Sequence, residues 1–94
     1  MSDLRQIGKI IEDALQNTNI LENANELMLF KDWQEIVGET IAAYAHPVRL
    51  DNGELILVIE DPVWRTEIFN IREVLIKTIN ERMGERIIKK IRIY

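Results

Sequence analysis

The chain has 94 residues, of which 47% are hydrophobic and 30% charged, with a formal net charge of −4 and no cysteine. This length fits one domain and not two, and the balance of apolar and charged residues is that of a folding chain, not a disordered one. The lack of cysteine excludes a disulfide framework, a thiolate metal site and a cysteine nucleophile.

Residues 1–94 are therefore expected to form a single domain. The start, Met1 to Arg5, leads into a charged periodic segment unlike a signal peptide. The longest unbroken apolar run, Leu55 to Ile59, is far too short to span a membrane. A bacterial, cytoplasmic protein is the expectation. Charge is unevenly spread: residues 1–61 carry net −8 and residues 62–94 net +4. Such asymmetry marks either a basic partner-binding end or merely solvated faces.

In chain order, Leu4, Ile7, Ile11, Ala14 and Leu15 recur at helical spacing over Leu4–Gln16, with Asp3 and Gln6 in capping-box positions. Asn17-Thr18-Asn19 breaks the pattern. A second helix is expected from about Asn23, with Glu26 in the capping-box position and Leu29, Trp33, Ile36 and Val37 on its apolar face. Gly38 should end or kink it, since glycine costs about 1 kcal/mol against alanine inside a helix. Glu39–Ala45 reads as one or two further turns, stopped by His46-Pro47.

The period then changes from helical to alternating. Val48 and Leu50, then Leu55, Leu57 and Ile59, flank Asn52-Gly53, a pair suited to a two-residue type I′ turn. With that turn Leu50 faces Leu55, and Val48 is expected to face Leu57. Asp61-Pro62 is a capping acid followed by proline at the first helical position. One long helix should follow, with Trp64, Ile68, Ile71, Leu75 and Ile79 along a stripe and Gly84 as its left-handed stop. A last strand over Arg86–Tyr94 would put Ile87, Ile91 and Ile93 inward and Ile88, Lys90, Arg92 and Tyr94 outward. The expected fold is α+β in two layers: helix, helix, strand, strand, helix, strand, with a three-stranded sheet packed against helices.

Chemistry is sparse. His46 is the single histidine, at a helix-to-strand junction, and reads best as a structural residue. Ser2 and Thr40 have no base placed near them by sequence, and the carboxylates fall on polar helix faces. The four glycines are too far apart for a phosphate-binding loop. No catalytic site, metal site, cofactor or small-molecule substrate is expected. Trp33 and Trp64 lie on apolar stripes and are read as core residues, although tryptophan is also a frequent interface anchor. Arg49, Lys90, Arg92 and Tyr94 are expected to share the outer sheet face, combining charge with one ring on which a base can stack. Three phosphate contacts from the cations would give a salt slope of about −2 for single-stranded DNA.

Several segments taken together resemble one family. These are Trp33-Gln34-Glu35-Ile36-Val37-Gly38, Ile41-Ala42, His46-Pro47 and the hairpin around Asn52-Gly53. Trp64 with Glu67-Ile68, then Ile79-Asn80-Glu81-Arg82-Met83-Gly84 and Ile91-Arg92-Ile93 continue the match. The chain resembles the DciA-type proteins over nearly its whole length. The resemblance implies a KH-like domain and a non-enzymatic role in DNA replication, in which the replicative DNA helicase is bound and its loading on single-stranded DNA assisted. The chain departs from a true KH module, since no glycine has another three residues on, and it is expected to be a short form without the extended basic or disordered tail of longer family members. Two other readings remain: a KH-like nucleic-acid-binding module unrelated to helicase, and a protein–protein adaptor.

Overall fold

Asn52 and Gly53 take φ angles of 51° and 79°, closing the two-residue turn that their sequence favours. The turn joins β1 (His46–Asp51) to β2 (Glu54–Val58) in antiparallel pairing, with Leu50 opposite Leu55 as expected. These strands belong to a computed structural model that describes residues 20–94. The helix expected over Leu4–Gln16 lies outside the described residues.

Val48 departs from expectation. The register shifts between Pro47 and Arg49, so Pro47 and not Val48 lies opposite Leu57. Val48 is left in the bulge, 51% exposed. Proline has no N–H to give to the ladder, and a bulge is where strands accommodate it.

A third strand, β3 (Lys90–Ile93), runs parallel to β2 on its far side, giving the order β1-β2-β3. Leu55 lies opposite Ile91, Ile56 opposite Arg92 and Leu57 opposite Ile93. The strand is shorter than the Arg86–Tyr94 expected. Residues 85–89 are held as a loop by Asn80, whose carboxamide oxygen accepts from the Ile87 and Ile88 N–H groups at 3.0 and 2.9 Å. Its amide nitrogen donates to the Ile88 carbonyl at 2.8 Å. Alternation therefore begins only at Lys90. Ile88, expected outside, is fully buried, and Ile87, expected inside, is half-buried.

Among the described residues five helices accompany the sheet: α1 (Ile20–Lys31), α2 (Trp33–Val37), α3 (Glu39–Tyr44), α4 (Pro62–Asn70) and α5 (Arg72–Met83). Asp61 caps α4 as expected, its side chain accepting from the Val63 and Trp64 N–H groups at 2.8 and 3.3 Å. Gly84, at φ 81°, ends α5 and donates its N–H to the Asn80 carbonyl at 3.0 Å. Gly38 sits at φ 93° and ψ 161° between α2 and α3, a conformation almost confined to glycine.

Two helices expected to be continuous are each broken. Asp32, at φ −102° and ψ 18°, separates α1 from α2, and Ile71, at φ −102° and ψ 12°, separates α4 from α5. Asn23 is no cap, because α1 begins earlier, at Ile20. Glu26, read as a capping-box acid, instead accepts the Leu50 N–H of β1 at 2.9 Å.

The core lies between the inner sheet face and the helices. Leu50, Leu55, Leu57 and Ile91 from the sheet, with Ile59 just after β2, meet Leu29, Trp33, Ile36, Ile68, Leu75 and Ile79, all buried. Ile93, Trp64 and Ile71, also expected inside, are half-buried and pack against that core. The Trp33 indole N–H donates to the Ala45 carbonyl at 2.9 Å, tying α2 to the start of the sheet. A buried indole needs such an acceptor.

Candidate nucleic-acid interface

The register that buries Leu50, Leu55 and Ile91 sends their neighbours to the opposite face. One cross-strand row there is Arg49–Ile56–Arg92, and another is Asp51–Glu54–Lys90. His46 and Val58 form the next pair, and Tyr94 joins that end by donating its N–H to the Leu57 carbonyl at 2.9 Å. Arg49, Lys90, Arg92 and Tyr94 thus occupy one exposed face.

They are not equivalent. Glu54 gathers two of them. Its carboxylate lies 3.2 Å from Arg92 Nε and 3.9 Å from Lys90 Nζ, and accepts from Arg92 Nη2 at 3.3 Å. Arg92 Nη1 also donates to the Tyr94 hydroxyl at 3.3 Å. That hydroxyl first, and the Glu54 carboxylate second, hold the Arg92 guanidinium above its ordinary pKa, so it stays charged. Arg49 stands apart on β1, two strand spacings or about 10 Å from Arg92. Among the described residues no salt bridge reaches it. With Asp51 and Glu54 beside the three cations, the face is only weakly positive.

Glu54 was not legible as part of this site. Its neighbours Lys90 and Arg92 are set by the parallel register of β2 and β3, which a sequence does not display. Tyr44 was missed as well. Its ring stacks on Trp64 with centroids 4.6 Å apart and planes 13° from parallel, at the junction of α3 and α4. Tyr44 is exposed and Trp64 half-buried where it packs against the core, whereas Trp33 is buried. Beside Ile93, an open groove of about 280 Å³ is lined by Arg65, Thr66, Phe69 and Ile93. The Arg72 guanidinium lies 4.0 Å from the centroid of the Phe69 ring.

Among the described residues, no group of three His, Asp or Glu side chains is placed to hold a metal ion. Among them also, no helix is long and apolar enough to cross a membrane.

What the fold and this face define is a two-layer α+β fold whose mixed sheet carries exposed charged residues on its outer side. The chain belongs to the DciA family: the family model described as "Dna[CI] antecedent, DciA" matches residues 6–93. This family is associated with DNA replication. A UPF0232 protein of Mycobacterium leprae is 28% identical over 91 residues, covering 97% of this chain and 48% of that protein. One of Mycobacterium tuberculosis is 24% identical over 91 residues, covering 97% and 49%. One of Rhodococcus jostii is 33% identical over 61 residues, covering 65% and 32%. The chain spans about half the length of the mycobacterial relatives it matches.

The segments that carried the resemblance now have physical roles. Trp33 and Ile36 fill the core, Gly38 turns the chain, Asn80 holds the loop before β3 and Gly84 ends α5.

Proposed function

We propose that this chain is a non-enzymatic DNA-replication accessory protein that binds the replicative helicase in the cytoplasm and assists its placement on single-stranded DNA. The observation that carries the reading is the family match over residues 6–93. The same proposal takes the domain as KH-like, which the order of its helices and strands supports. Arg49, Lys90 and Arg92 are the proposed phosphate contacts and Tyr94 the stacking platform. Because Glu54 competes for two of those cations, DNA binding by the chain alone is weak, and the strand is held mainly when the helicase is present.

Fluorescence anisotropy of a labelled oligonucleotide, at several salt concentrations and with or without helicase, tests this. The chain alone should show a log–log salt slope between about −1 and −2, the lower figure reflecting the competing carboxylates. Affinity should rise when helicase is added. A triple Arg49→Gln, Lys90→Gln, Arg92→Gln variant that binds as well as the parent would remove the outer face from the account.

The adaptor reading has one observation in its favour. A face whose cations are already engaged by Glu54 suits a protein surface of mixed charge as well as it suits phosphates. Helicase binding with no contribution to DNA affinity would select it.

A further inference from the structure

The two edges of the sheet are treated differently. In β1, Leu50 turns its N–H outward and the Glu26 carboxylate accepts it at 2.9 Å. Pro47 has no N–H to offer, and the register shift beside it distorts the rest of that edge. The β1 edge is closed to further strands.

Among the described residues the β3 edge has no such device. Lys90 donates its N–H to the Gly53 carbonyl, and Tyr94 both donates to Leu57 and accepts from the Ile59 N–H. In a parallel ladder this alternation directs Lys90, Arg92 and Tyr94 toward β2 with both backbone groups, and directs those of Ile91 and Ile93 away from it. Among the described residues no hydrogen bond reaches the outward groups of Ile91 or Ile93. Two donors and two acceptors are therefore presented at strand spacing along an open edge.

What flanks that edge specifies the chemistry of an added strand. On the helix side lies the groove between α4 and β3, with the Phe69 ring and the Ile93 side chain as its apolar walls and Arg65 at its rim. On the outer side stand Lys90 and Arg92, 69% and 49% exposed as side chains even with Glu54 paired to them. A strand laid beside β3 alternates its side chains between those two environments. The inward ones meet Phe69 and Ile93, and the outward ones meet two cations.

We propose that the β3 edge binds an extended segment of a partner protein as a fourth strand, and that the segment alternates apolar with acidic residues. Main-chain pairing with Ile91 and Ile93 supplies the anchoring, and the Phe69–Ile93 groove and the Lys90–Arg92 pair supply the selection. The inference goes beyond the reading on helicase and DNA and does not depend on it: its anchoring is the β3 main chain, and it shares only Lys90 and Arg92 with the proposed DNA face.

The test uses the full chain and a defined probe, an acetylated and amidated heptapeptide alternating valine with glutamate. Binding should be saturable with Kd below about 1 mM. On binding, exchange of the Ile91 and Ile93 amide protons, followed by NMR, should slow at least about tenfold, because they enter a ladder. The same peptide with lysine for glutamate should bind at least about tenfold more weakly. Two N-methylated versions, one on every valine and one on every glutamate, block the two possible strand directions, so one of them should fail to bind. On the protein side, Ile93→Pro removes an outward N–H without touching the pairing to β2, and Phe69→Ser removes the groove wall. Both should weaken binding, with thermal melts verifying the fold.

No saturable binding, equal binding of the lysine peptide, unchanged Ile91 and Ile93 amides, or undiminished binding by both N-methylated peptides would each overturn the proposal. Protection of those amides without peptide would overturn it too. If that protection rises with protein concentration, a second copy fills the edge; if it is independent of concentration, the chain covers the edge itself.

Discussion

The two faces of the sheet obey different physics. On the inner face, Leu50, Leu55, Leu57 and Ile91 are each at most 7% exposed and belong to one apolar core cluster. On the outer face, Arg49, Lys90 and Arg92 are exposed and share their surroundings with Asp51 and Glu54. Burial is worth several kcal/mol per large side chain, whereas exposed ion pairs contribute about 0–1 kcal/mol. The inner face therefore decides the fold, and the outer face can change with little penalty to it. That freedom leaves the outer face available for the proposed binding surface.

The contrast is broken most forcefully from the inside. Leu57 is fully buried in β2, the central strand of the sheet. Leu57→Ala should cost about 2–5 kcal/mol, a large share of a small domain's stability. Denaturant unfolding measures it, and a loss below about 1 kcal/mol would mean that the inner face is not the organising core.

Next in size is Asn80→Ala. It leaves the Ile87 and Ile88 N–H groups and the Ile88 carbonyl without their partner. The expected loss is about 1–3 kcal/mol, with Ile88 displaced from the core. Gly38→Ala forces a side chain into φ 93° and ψ 161° and should cost about 1–3 kcal/mol in the same assay. Open space around the site rules out a clash as the cause.

The smallest effect on stability belongs to the outer face. Glu54→Gln removes the carboxylate that holds Lys90 and Arg92 and should change stability by under about 1 kcal/mol. Affinity for single-stranded DNA should rise, and the salt slope should steepen toward about −2. A variant with greatly reduced stability and unchanged DNA affinity would erase the distinction between the faces.

Most of the inner face was legible. Asn52-Gly53, Asp61-Pro62 and Gly84 act through local backbone preferences, which a sequence displays directly, and they stand where expected. Alternation gave the correct face for Leu50, Leu55, Leu57 and Ile91. Val48 and Ile88 were misjudged because alternation holds only inside a regular ladder: Pro47 brings a bulge beside the first, and Asn80 holds the second in a loop. The breaks at Asp32 and Ile71 carry no glycine or proline to announce them. On the outer face the four residues expected together do share a surface, yet their mutual engagement through Glu54 depends on a parallel register between strands far apart in the chain. Long-range register is a tertiary property, and it determines how much of the charge is free.

The most direct measurement of the proposed helicase binding is analytical ultracentrifugation of the purified chain with the purified replicative helicase of the same organism, at physiological salt and without DNA. Co-sedimentation that saturates as the chain is added is the expected result. Independent sedimentation of two folded proteins across a micromolar range would contradict it.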